Sequence, residues 1–161
     1  MEGDGNMESF VKMKESDLVL LDYRITKLHY DSEIILENKE NIKYETHMKL
    51  GVSDPIHREI NKEKAMLMRI DIELRIRGKI KRKNIVKIDM TISEMLGTQR
   101  LSEDEFKKVA PGVGISNLLA IARSAVLSLT SQTGNPPVML PILNVRESMK
   151  NAGTKHDEKV S

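Results

Sequence analysis

Four histidines, His29, His47, His57 and His156, are the residues best suited to hold a metal or relay a proton, and they lie far apart. None sits at a His-x-x-x-His or carboxylate spacing that would turn two ligands onto one face, so they are expected on the surface and no metal site is expected. Asp71, Glu73 and Asp89 are close enough for acid–base work, but their alternation with apolar neighbours puts them on a wet face with nothing to tune them for catalysis. The P-G-V-G stretch at 111 to 114 has neither the lysine nor the length of a phosphate loop, and no G-x-S-x-G elbow occurs. With no cysteine in the chain, thiol catalysis, thiolate metal sites and disulfides are absent together. Neither an enzyme nor a cofactor is expected.

One cationic cluster remains. Arg77, Lys79, Lys81, Arg82, Lys83 and Lys87 fall in eleven residues without an acid, a tip able to contact phosphates or acidic protein. Single-stranded nucleic acid is usually held with aromatic stacking platforms as well, and this neighbourhood has none. A solvated hairpin tip competes with a nucleic-acid-binding reading.

The elements that position these residues follow from periodicity. In M-L-M-R-I-D-I-E-L-R-I-R-G, residues 66 to 78, Met66, Met68, Ile70, Ile72, Leu74 and Ile76 alternate with Arg69, Asp71, Glu73, Arg75 and Arg77, the pattern of a two-faced strand. A turn through Gly78 leads to a second such strand, with Val86, Ile88, Met90 and Ile92 inward and Lys87, Asp89, Thr91 and Ser93 outward. One register sets Arg75 opposite Asp89, and a two-residue slip sets it opposite Lys87. Upstream, Leu21, Tyr23 and Ile25 run in one phase and Leu28 and Tyr30 in the other, as a bulge produces. In the next strand Ile42, Tyr44, Met48, Leu50 and Val52 share a face. Ser53 to Lys64 reads as a connection over the surface whose Ile56 and Ile60 need something to lie on.

After Gly97 the period becomes helical. Ser102 and Glu105 form a capping box with Leu101 and Phe106 as its staple, opening a short helix expected to end before Pro111. The glycines beyond it articulate a main helix in which Leu118, Ala122, Ala125 and Leu129 form a stripe, closed by Gly134. N-P-P-V-M-L-P-I-L is then extended and packed, and Asn144 with Glu147 caps a short last helix. Four strands followed by helices read as α+β, helices covering one face of an antiparallel sheet. Residues 1–16 are expected to be a loose arm and 150–161 a mobile tail.

Length and composition agree with a single globular, soluble domain: 161 residues, 39% hydrophobic, 31% charged, formal net charge +2. The early apolar run Leu18 to Leu21 is far short of the roughly 20 residues of a spanning helix, so no membrane insertion is expected and the cytoplasm is the expected compartment. Aromatics are only 3%, yet there are 10 methionines, among them Met48, Met66, Met68, Met90 and Met95 in the strand half. Methionine fills cores in place of leucine and also lines surfaces that must accept varied partners.

N-L-L-A-I-A-R-S-A-V followed by T-G-N-P-P-V-M-L-P-I-L-N-V resembles the SecB family of protein-export chaperones. That family's main helix carries Leu-Phe-Pro-Tyr-Ala-Arg-Glu and is followed by Gly-Phe-Pro-Pro and Leu-Pro-Pro-Ile-Asn-Phe segments. Leu118, Ala122, Arg123, Gly134, Pro136, Pro137, Leu140 and Asn144 match without a gap, and the four strands extend the resemblance over about residues 17–149. The resemblance implies a Greek-key sheet in a homotetramer, a dimer of dimers, that holds unfolded client polypeptides in apolar grooves without ATP, cofactor or catalysis. It implies a groove floored by Tyr44, Met48, Leu50 and Val52, roofed by Ile56 and Ile60 and walled by Val138, Met139 and Leu140.

The departures bear on the partner. Ala120 and Ile121 stand where the family has Pro-Tyr, Ser124 replaces its Glu, and Asn135 and Val145 replace aromatics. Export members dock the motor ATPase of the Sec translocase through an acidic sheet face, whereas Arg69, Asp71, Glu73, Arg75, Arg77 and Asp89 alternate in sign. A related branch of SecB-like chaperones protects antitoxins of toxin-antitoxin systems. Export chaperone and antitoxin chaperone both remain open.

Overall fold

The computed structural model describes residues 15–33, 41–141 and Glu147. Among the described residues, strands β1 (Val19–Ser32), β2 (Lys43–Val52), β3 (Ile56–Ile60), β4 (Glu63–Ile80) and β5 (Lys83–Thr98) precede the long helix α1 (Glu103–Thr130). They form one antiparallel sheet in the order β1-β5-β4-β2, with β3 also paired to β4. The sheet therefore has five strands where four were expected, and β3 lies off the path of a plain Greek key.

The fifth strand corrects the reading of Ser53 to Lys64. Val52 lies opposite Ile70 and Ile56 opposite Leu67, so β3 resumes the same edge of β4 after a break at 53–55. Four residues on the edge span three on β4, and that one extra residue acts as a bulge that reverses the phase. Asn61 and Lys62, both at positive φ, then turn β3 tightly into β4.

Two bulges in β1, at Leu21 and Thr26, have the opposite consequence. Each resets the alternation, so that Leu20, Tyr23, Ile25, Leu28 and Tyr30 all lie opposite inward positions of β5. The β4–β5 turn falls at Lys81–Arg82 rather than at Gly78. Gly78 is a strand residue over which the Tyr44 ring passes: a Cβ there would stand 2.7 Å from Tyr44 Cε1 and 3.0 Å from Ile42 Cγ2. In the register formed, Arg75 faces Asp89.

The capping box opens α1 as expected, Ser102 Oγ accepting from Glu105 N at 3.3 Å and Glu105 Oε2 accepting from Ser102 N at 2.9 Å. The helix does not stop at Pro111; it runs on to Thr130, and the two expected helices are one. A proline inside a helix costs about 3 kcal/mol, and burial on both sides of it offsets that cost. Phe106 and Ala110 before it, and Ile115 and Leu118 after it, are wholly buried against β4 and β5. Gly114 permits the close approach, since a Cβ there would run into Ile70, Leu96 and the Glu94 carboxylate.

By length and composition α1 is also apolar enough to cross a bilayer, but only 33% of its most apolar window is buried. From Val109 to Ser131 its one charged side chain is Arg123. Beyond the helix, Gly134 has φ 77°, and residues 135–141 return along α1 without regular secondary structure. Arg123 pins them, donating from Nε to Leu140 O at 3.1 Å and through its second terminal nitrogen to Pro141 O at 3.0 Å. Apart from Glu147, the short last helix read from Asn144 lies outside the described residues, as do residues 1–14 of the arm and the tail.

Candidate functional site

One helix cannot cover five strands. Its first turn stands over β3, where His57 Nε2 lies 3.2 Å from Glu103 Oε2. Its far end turns toward the end of β1, where Asn135 Nδ2 donates to Glu33 O at 3.3 Å. α1 thus crosses the central strands β4 and β5 obliquely, and the edge strands keep apolar side chains bare on the same side. On β1 these are Leu20, Tyr23, Ile25 and Leu28, at 41–51% exposure, and on β2 Tyr44 and Val52, with Met48 and Leu50 half-buried.

All four expected floor residues, Tyr44, Met48, Leu50 and Val52, therefore share the helix side. Burial pushes the Tyr44 phenol above its ordinary value, and nearby Tyr30 adds to this. Ile56 and Ile60 do not join them. They lie opposite Leu67 and Glu63, on the outer side of the sheet, because of the reversed phase after the break. The expected wall divides as well: Val138 and Leu140 are core residues, while Met139 is 70% exposed.

The β1 strip is absent from the expected groove. Its signal was the phase change along β1, which marked a bulge without showing that the bulge realigns apolar residues. Glu94 is a second omission. It continues the inward series Val86, Ile88, Met90 and Ile92, and it is 2% exposed with both carboxylate oxygens unpartnered. Burial pushes its carboxyl up to about 7.

The outer side carries the expected docking residues. Arg69 pairs with Asp71 at 2.9 Å, Arg75 with Glu73 at 2.9 Å and Arg77 with Asp89 at 2.8 Å, while the Ser93 hydroxyl donates to Asp71. Three cations meet three carboxylates, so these six residues together carry no net charge. The basic tip is partly neutralised, Lys79 on Glu45 at 2.7 Å and Lys83 on Glu33 at 2.8 Å. The Lys79 contact holds the Glu45 carboxyl below its usual range. Among the described residues Lys81, Arg82 and Lys87 keep no ion pair, and no three histidine or carboxylate side chains cluster as a metal site.

These features define an α+β protein with a long helix laid across an antiparallel sheet that is apolar on its helix side and, among the described residues, open at both edges. No family model and no curated protein matches the chain. Among solved structures it is similar to the Rv1957 SecB-like chaperone of Mycobacterium tuberculosis, in complex with a ChAD peptide from the Rv1956 HigA1 antitoxin. The TM-score is 0.55 at 20% identity, covering 79% of this chain and 91% of that one. A protein of unknown function from Streptococcus agalactiae scores 0.42 at 19% identity, covering 78% and 97%, and carries no argument. The fold is SecB-like.

Proposed function

We propose that this protein is a SecB-like, ATP-independent holdase that binds unfolded polypeptides along its bare edge strands. The observation that carries the reading is the apolar strip on each flank of α1, Leu20, Tyr23, Ile25 and Leu28 on one side and Tyr44, Met48, Leu50 and Val52 on the other. Each lies beside a strand edge that no described residue pairs, so an extended client gains side-chain burial and backbone hydrogen bonds together. Half-buried Met48 suits varied clients. The surface of α1 beyond Lys108, where Arg123 is the one charged side chain and Val109 and Val113 are exposed, supports a homotetramer in which helices from two dimers pack on one another. The lack of cysteine suits the reducing cytoplasm.

The purified protein is expected to delay aggregation of a chemically denatured client at stoichiometric ratios without nucleotide. Aggregation at the rate of a protein-free control would sink the reading.

Service to an antitoxin is favoured over docking on the Sec motor ATPase. The outer face pairs its own charges instead of presenting an acidic field, and the similar solved structure holds an antitoxin peptide. Captured cellular clients dominated by one small DNA-binding partner would support this version, and a broad set of export precursors would overturn it.

A further inference from the structure

The outer side of the sheet is not charged throughout. At the end where β3 turns into β4, Val19, Leu21, Ile60, Ala65, Leu67 and Gly97 line a pit of about 330 Å³, with Ile56 beside it opposite Leu67. Gly97 shapes the floor: a Cβ there would stand 3.0 Å from Leu21 and 3.2 Å from Leu67, so these two leucines lean together over the bare backbone of β5. Val19, Leu21 and Ile56 are 46–54% exposed, and toward the middle of this face Met95 is followed by polar and charged residues such as Arg69, Asp71 and Ser93. An apolar pit in a charged face calls for an occupant.

The chain itself enters at its rim. Glu15, Ser16 and Asp17 line the pit, and the backbone is fastened there: Thr98 Oγ1 donates to Asp17 O at 2.9 Å, Arg100 reaches the Asp17 carboxylate at 3.4 Å, and Leu18 N donates to Ser16 Oγ at 3.1 Å. The fourteen residues preceding this anchor hold Met7, Phe10, Val11 and Met13. Phe10 and Phe106 are the chain's two phenylalanines, and Phe106 is wholly buried in the core. Phe10 lies five positions before Glu15, an extended reach of about 17 Å, enough for Phe10 to return over a pit that Glu15 already borders.

We propose that this outer pit is the seat of the protein's own N-terminal arm, with Phe10 as the anchoring side chain. Seated, the arm covers the exposed apolar side chains of Val19 and Leu21. Attachment at the rim favours the arm over any free competitor by effective concentration.

The absence of cysteine makes the test direct. In the full chain, Phe10→Cys combined with Leu67→Cys is expected to form an intrachain disulfide at least about tenfold faster than Glu2→Cys combined with Leu67→Cys. Ile60→Cys replaces Leu67→Cys should the latter impair folding. In a cysteine-free background, Phe10→Ser should raise binding of an apolar dye severalfold, and Phe10→Ser with Leu67→Ser should reverse the rise. Equal oxidation rates, disulfides between chains, or unchanged dye binding would each overturn the proposal. Because no client is used, these outcomes are independent of the holdase reading.

Discussion

On β4 the inward residues Ile70, Ile72, Leu74 and Ile76 are wholly buried, while their outward neighbours Arg69, Asp71, Glu73 and Arg75 pair off along the strand itself. The same backbone thus serves two surfaces of different worth. Each inward side chain contributes roughly 1.5–3 kcal/mol by burial, whereas an exposed ion pair contributes about 0–1 kcal/mol. Stability resides under the helix, and the outer face is free to change its charges at little cost. That asymmetry lets the SecB-like fold stand on its inward residues whatever the sign of the charges outside.

The comparison is broken most severely at the helix seat. Gly114→Val would drive a side chain into Ile70, Leu96 and Glu94, and a loss exceeding about 3 kcal/mol is expected in urea unfolding. A variant that unfolds with the parent would show that α1 does not depend on this close approach.

Glu94 gives the next effect. Its folded carboxyl titrates near 7, above the ordinary 4.5, so the folded state holds the proton more tightly and stability falls as pH rises from about 4.5 to 7. Glu94→Gln should flatten this slope and exceed the parent at pH 8 by about 1–3 kcal/mol. Parallel pH profiles for the two proteins would contradict this account of the buried carboxylate.

Smaller still, Tyr44→Asp with Met48→Asp should weaken client holding roughly tenfold, near 1.4 kcal/mol, with secondary structure unchanged. Aggregation assays and circular dichroism on one preparation separate the two. On the outer face, Arg75→Ala with Glu73→Ala should shift the unfolding midpoint by less than about 0.5 kcal/mol. A large shift there would mean that the outer pairs carry stability after all.

The alternation of residues 66 to 76 and 86 to 92 and the capping box at Ser102 were legible because each is a local signal with a fixed period or spacing. Pro111 misled because its local penalty is visible in the sequence while the burial of Ala110 and Ile115 that offsets it is not. Ile56 and Ile60 were placed on the wrong side of the sheet for a related reason. A single extra residue between β2 and β3 reverses every side chain of β3, and nothing in S-D-P fixes its length. Val138 and Leu140 alternate with Met139 as a packed strand would, but which of them faced the core depended on the grip of Arg123 on the returning chain.

The oblique course of α1 also sets the valency of the proposed binding surface. Its two bare strips lie on β1 and β2, three strand spacings or about 14 Å apart, with the helix standing between them. A polypeptide held by both must pass over or around that ridge, so two short apolar stretches joined by a polar spacer would gain avidity that one continuous stretch of equal content would not. Spacer length, more than total hydrophobicity, would then rank the clients.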